Sequence, residues 1–212
     1  MIEFRGAGPA EFGERLDTVI DIYTAAMRPP PDQIAGRASI MRNHASYPQF
    51  QCYFAELRDF SGLRPSSAIP PPASSAAPDA GAEAADPGPI PRPVGFAYGF
   101  RGAPGQWWHD VVFRALEERA GREAARAWLD HAFELAEIHV HPDYQGKGIG
   151  RAMIRTLCAG RRERSAVLST HDSPTAARHL YASMGFGDLL TRFVFPGGYE
   201  EYAIVGRALP LP

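Results

Sequence analysis

The sequence predicts an α+β fold. One domain is expected, with a central mixed, mostly antiparallel sheet flanked by helices and a single pair of strands running parallel. Three observations carry this. Phe133 to Val140 (FELAEIHV) reads as a strand, a turn with glycines at 146, 148 and 150 follows, and Met153, Ile154, Leu157 and Cys158 then recur at helical spacing. Ala166 to Thr170 reads as the next strand, and a strand-helix-strand unit of this kind joins parallel neighbours. Elsewhere Gln49 to Leu57 and Val94 to Phe100 form aromatic strand segments that can pair directly as an antiparallel hairpin.

At 212 residues the chain can bury one full core, so residues 1–212 are read as one domain. A net charge of −2, from 22 basic and 24 acidic residues, leaves no electrostatic footprint for nucleic acid or an anionic membrane. Cys52 and Cys158 stand far apart, outside any CxxC or zinc spacing, which suits a reducing compartment and predicts no metal. No stretch approaches the roughly 18 consecutive apolar residues of a membrane span. A soluble, cytoplasmic protein is expected.

In chain order, Ile2 to Arg5 is a short strand, and a helix from about Ala10 carries Phe12, Leu16, Val19, Ile20, Tyr23 and Met27 on a core-facing stripe. Tyr23 and Met27, at its end, are the positions to watch for contact with a ligand. Pro29 to Pro31 stop it, and Asp32 is placed to cap a second helix through Ile34, Ile40 and Met41 to about Ala45; His44 there reads as a surface or packing residue. Residues 64–93, rich in Pro, Ala and Ser, cannot bury enough apolar area to offset their ordering entropy and are read as a flexible insertion. Residues 103–132 form a helical insertion with Gly121 as its joint. It is read either as packing on the sheet or as a cover over a pocket walled by Trp107 or Trp108. Leu189 to Phe195 and Tyr202 to Val205 make a closing pair of strands, where Phe193, Phe195 and Tyr202 are candidates for core or homodimer contacts.

The glycine turn is the chemical centre. Closely spaced glycines let backbone N–H groups converge without Cβ atoms in the way, and the positive end of the following helix points at the same place, so the junction is built to receive phosphate oxygens. It is neither a Walker loop, because Lys147 is followed by Gly148, nor the GxGxxG dinucleotide fingerprint, because Gly146, Gly148 and Gly150 alternate. What it does match is Gln145-Gly-Lys-Gly-Ile-Gly150 after a strand ending Val140-His141-Pro142, which resembles the GNAT superfamily of N-acetyltransferases. The resemblance continues downstream in Ala177, Leu180, Tyr181, Gly185 and Phe186, the A-x-x-LY-x-x-x-GF ending of that family.

The resemblance implies acetyl-CoA as cosubstrate. Gln145, Gly146, Lys147, Gly148, Ile149, Gly150 and Arg151 would hold its pyrophosphate, and the strand end at Ile138, His139 and Val140 would pair with the pantetheine arm. Tyr181 matches the family tyrosine that protonates the leaving thiolate; a phenol of reference pKa about 10 is protonated at neutral pH and suits a thiolate whose thiol lies near 8.5. A strand carboxylate, Glu134 or Glu137, would be the base. Simple alternation sends these two to opposite faces, with Glu134 beside Ala136, Ile138 and Val140, and Glu137 beside Leu135 and His139; a bulge would change that parity, so both are kept and Glu134 is placed first. Where many relatives carry an asparagine seven positions before the tyrosine, this chain has Pro174, so that cofactor contact is lost or moved to Ser173 or Thr175. The expected reaction is direct acetyl transfer to a primary amine of a small molecule or protein in a ternary complex. The rival is a non-catalytic acyl-CoA-binding protein on the same fold. No motif in the first half identifies the acceptor.

Overall fold

The computed structural model describes residues 1–58 and 92–211. The segment expected to be a flexible insertion, 64–93, lies outside them except for its last two residues.

Seven strands form one sheet in the order β1-β2-β3-β4-β5-β7-β6: β1 (Ile2–Ala7), β2 (Gln51–Leu57), β3 (Arg92–Arg101), β4 (Ala132–Val140), β5 (Ser165–His171), β6 (Gly187–Val194) and β7 (Glu201–Ala208). Every pairing is antiparallel except β4 with β5. As expected, β2 and β3 are direct partners despite the long stretch of chain between them.

One face of the sheet is covered by α6 (Ile149–Cys158) and α7 (Ala176–Ser183). Met153, Ile154, Leu157 and Cys158 pack there against Phe133, Leu135, Ala166 and Leu168. The other face is covered in two parts. Helices α1 (Pro9–Glu14), α2 (Leu16–Met27) and α3 (Pro31–His44) lie over an aromatic floor of Phe54, Phe96, Tyr98 and Phe100, while α4 (Trp107–Ala120) and α5 (Arg122–Leu129) lie over Val167, Leu190 and Ile204. The two parts leave a gap between them, above β4 and β5. Among the described residues no helix is long and apolar enough to cross a membrane.

Two local expectations are corrected. The helix predicted from Ala10 to Met27 is broken at Arg15 (φ −99°, ψ 11°), two residues after Gly13, a poor helix former, and Phe12 and Leu16 on either side of the break still enter the same core. Asp32 does not cap α3. Pro31 takes the first helical position, where its fixed φ suits the helix, and Asp32 sits inside the first turn against the positive dipole end. Gly121 is the joint expected in the helical segment, with φ 87°.

The pairing that positions the site is short. β4 meets β5 only from Ala132–Glu134 to Ser165–Val167, after which the strands diverge, each held by its antiparallel partner on the far side, β3 and β7. The β3–β4 ladder also slips by one residue, since Tyr98 faces Glu137 and Gly99 faces Leu135, leaving Ala136 as the extra residue of a bulge. Gly99 makes the bulge possible. A Cβ there would lie 2.5 Å from Phe133 Cζ and nearer still to Glu134 O. Gly99→Ala is therefore expected to destabilise the fold by about 1–3 kcal/mol through overpacking, read as a lowered denaturant midpoint; an unchanged midpoint would show that β3 tolerates a side chain against the bulge.

Candidate active site

On the α6 side, Pro142–Tyr144 form a 3₁₀ turn that lifts the chain out of β4, and the Gln145 side chain ties back to Val140 O at 2.9 Å. Gly146 and Gly148 take φ of 72° and 78°, the left-handed region where a Cβ is costly, and the space beyond them is open. Gly148 is the N-cap of α6, and its carbonyl receives the first helical bond from Ala152 N at 3.1 Å. Among the described residues the N–H groups of Gly146, Lys147, Gly148, Ile149, Gly150 and Arg151 have no protein acceptor. Consecutive unpaired donors at a helix N-terminus are what a pyrophosphate requires. Gly150 is needed differently, because a Cβ there would press on Leu180 Cδ2 at 3.3 Å.

The two nearby cations are partly committed. Lys147 Nζ donates to Asp143 O at 2.9 Å and stands over the Tyr144 ring, and Arg151 Nη2 donates to Ser183 Oγ at 2.7 Å, tying α6 to α7. Ile138, His139 and Val140 lie beyond the last β4–β5 pair, so β5 offers their backbone no ladder partner. Thr175 Oγ1 accepts from Arg178 N at 3.1 Å as the N-cap of α7, and Ser173 precedes it, its carbonyl accepting from Thr175 N. Tyr181 is buried edge-on to Phe186, and its phenol is held above its ordinary pKa by burial and then by the charge of Glu137.

On the opposite face a cavity of about 880 Å³ opens between α3, the start of α4 and the β6–β7 loop. Its floor is the bulged part of β4. Because Ala136 is the extra residue, Glu134 and Glu137 both face this cavity, and the opposite-face arrangement of simple alternation does not occur. Leu135 and Ile138 pack on the α6 side instead, while His139 turns to Tyr23 and Phe96.

The two carboxylates are treated very differently. Glu137 has both oxygens occupied, by Arg37 Nη1 at 3.0 Å and His139 Nε2 at 2.5 Å. Burial pushes its pKa up, but the His139 bond and the charges of His139, Arg37 and His44 outweigh that and hold it below the ordinary value. Glu134, 4% exposed, has its Oε2 buried without a hydrogen-bond partner. Burial, followed by repulsion from Glu137, pushes Glu134 up to about 8. Among the described residues no group of three or more His, Cys, Asp or Glu is placed to hold a metal ion.

Several cavity residues were not legible in advance. Arg37, Ile40 and His44 stand at i, i+3 and i+7 on one face of α3, a face mixing a cation with an imidazole. His44, read as surface or packing, lines the cavity with Nδ1 3.0 Å from Tyr98 Oη, and burial lowers its pKa. Tyr23, flagged at the helix end, lies beneath the Arg37 guanidinium and edge-on to His139. Trp107 and Trp108 both line the cavity, and Trp108 Nε1 donates to Ser169 Oγ at 3.3 Å.

A sheet split between two parallel strands, with a glycine turn of unpaired N–H groups on one side and an acidic cavity on the other, is the architecture of a coenzyme-A-dependent acyltransferase. The model of the acetyltransferase (GNAT) domain matches residues 108–187. A GCN5-like protein acetyltransferase of Mycobacterium tuberculosis is 35% identical over 211 residues, covering 96% of both chains. In structure, the chain resembles Salmonella typhimurium yncA, solved with its cofactor acetyl-CoA (TM-score 0.55, 15% identity, 99% of this chain and 95% of that one). It also resembles the ribosomal-protein-S18-alanine N-acetyltransferase of Escherichia coli (TM-score 0.56, 16% identity, 100% and 96%). The chain belongs to the GNAT family of acetyltransferases.

The Glu134 environment predicts a stability signature. Its folded carboxyl keeps its proton up to about pH 8, whereas unfolded it releases it at an ordinary carboxyl pKa, about 4.3. Between these values the folded state binds more protons, so stability falls as pH rises. Glu134→Gln, which cannot ionise, removes this contribution. The melting temperature of the wild type should fall relative to that of Glu134→Gln from pH 5 to pH 8; parallel curves would mean that Glu134 ionises normally.

Proposed function

We propose that this protein transfers the acetyl group of acetyl-CoA directly to a primary amine, with Glu134 as the general base and Tyr181 as the general acid. The observation that carries the reading is Glu134 itself: a carboxyl 4% exposed, hydrogen-bonded to none of the described residues, on the cavity floor where β4 leaves β5. The residues suit the cosubstrate, since unpaired N–H groups from Gly146 to Arg151 would receive its pyrophosphate, and Ile138 to Val140, laddered to β3 but not to β5, leave a strand edge for its amide arm, with Val140 O held by the Gln145 side chain until then. Acetyl-CoA, when bound, supplies an acyl carbon activated as a thioester.

Glu134 takes a proton from the incoming ammonium. A carboxylate of raised pKa is a competent acceptor, because its affinity for the proton approaches that of the amine it must neutralise. Glu137 is then not the base. Locked by Arg37 and His139, it stays charged and attracts the ammonium while lifting the proton affinity of Glu134. Tyr181 keeps its proton at neutral pH and delivers it to the departing sulfur. Buried Phe100 lines the cavity floor beside the pair.

The relative's name supports a protein amine as the acceptor. An exposed cavity rim agrees with this, since the amine of a large molecule must enter from outside.

Glu134→Gln should lower kcat by about 10²- to 10⁴-fold while acetyl-CoA still binds by calorimetry. Wild-type kcat/KM should rise with pH through the Glu134 region near 8 and lose that limb in the variant. Full activity in Glu134→Gln would remove Glu134 from the mechanism. Acetyl-CoA binding without acetylation of any amine would favour the non-catalytic rival. Gly148→Val should weaken acetyl-CoA binding at least tenfold, because a β-branched residue resists φ 78°; unchanged affinity would place the pyrophosphate elsewhere.

A further inference from the structure

The cavity has a second chemical zone that acetyl transfer does not use. Its rim is aromatic: Trp107 stacks on Phe195 at 5.4 Å, and Phe195 meets Tyr202 edge-on at 5.2 Å. Trp107 is 57% exposed and Tyr199, on the same rim, 97% exposed. Glu200 stands among them, accepting a hydrogen bond from Tyr202 Oη at 3.0 Å and facing His171 Nδ1 at 3.8 Å. Among the described residues lining the cavity, Arg37 is the only Lys or Arg, and it is committed to Glu137. His44 faces the same space and its pKa is lowered by burial. Of the three carboxyl groups in the lining, Glu134 keeps its proton and Glu137 is paired with Arg37, which leaves Glu200 at the rim without a Lys or Arg partner among the described lining residues.

Aromatic faces beside a carboxylate attract a cation, and the electrostatic surplus of this cavity has the matching sign. The acid pair on the floor handles the reacting amine, and the exposed rim is left for a different positive group on the same acceptor. We infer that Trp107, Tyr199, Tyr202 and Glu200 form a subsite for a second cation, the side chain of an arginine or lysine adjacent to the acetylated lysine in a protein segment. The inference rests on the protein-amine reading above and narrows it to basic segments. A peptide fits better than a small diamine, because a group held at so exposed a rim leaves the rest of its chain room to continue into solvent.

Two lysine peptides identical except for arginine or glutamine beside the lysine test this with the full-length protein, acetyl-CoA and thiol-release kinetics. The wild type should show a KM about tenfold lower for the arginine peptide. Glu200→Gln and, separately, Trp107→Ala should each bring the ratio of the two KM values close to one. Both substitutions are at exposed positions, and circular dichroism checks their folding. An equal KM for the two peptides in the wild type, or a preference that survives both substitutions, overturns the subsite. Turnover of linear diamines with the same sensitivity to Glu200→Gln, but of neither peptide, overturns the peptide occupant. Wild-type protein that binds acetyl-CoA yet acetylates no amine overturns the acetyl-transfer reading itself, and the inference with it.

Discussion

The structure depends on how one strand is shared. β4 is held along its length by β3 but by β5 for only three residue pairs. Where the second ladder stops, the sheet opens into a cleft in which β5 supplies no ladder partner to Ile138, His139 and Val140. The bulge at Ala136 lies one turn of the pleat beyond that point and reverses the facing of every later residue on β4. A single extra residue thus brings Glu134 and Glu137 onto one face and leaves Leu135 and Ile138 on the other, against α6. Gly99 on β3 is the space this arrangement consumes.

Two carboxyl groups three residues apart would ordinarily share their protons. Here the packing separates them. The α3 helix delivers Arg37 to one oxygen of Glu137 and β4 itself delivers His139 to the other, while none of the described residues hydrogen-bonds Glu134 Oε2. Desolvation is common to both, so the partners decide which ionises first. The same logic keeps Tyr181 protonated, since burial and the nearby Glu137 charge both oppose a phenolate. Two glutamates and a tyrosine thereby differ in their hold on a proton through their surroundings, while being ordinary side chains.

Much of the frame was legible in the sequence because its signals are local. The strand, glycine turn and helix from Phe133 to Cys158, the Tyr181 motif and the parallel pair are each written in a short run of residues, and each element formed within two residues of its expected limits. The cavity side was not, because it is assembled from distant pieces. Arg37 meets Glu137 across a hundred positions, and His44 meets Tyr98 across fifty-four. The break at Arg15 leaves Phe12 and Leu16 in one core, so the helical stripe runs across it and periodicity does not report it. The parity of Glu134 and Glu137 turned on a bulge, whose cause lies in the Gly99 contact on the neighbouring strand.

The central claim is the split between Glu134 and Glu137, and carboxyl carbon NMR of protein labelled at glutamate tests it most directly, with Glu134→Gln and Glu137→Gln assigning the resonances. One buried carboxyl should titrate near pH 8 and disappear in Glu134→Gln, while a second stays ionised to below the ordinary carboxyl range and disappears in Glu137→Gln. Two ordinary titrations, or the high one belonging to Glu137, would contradict it.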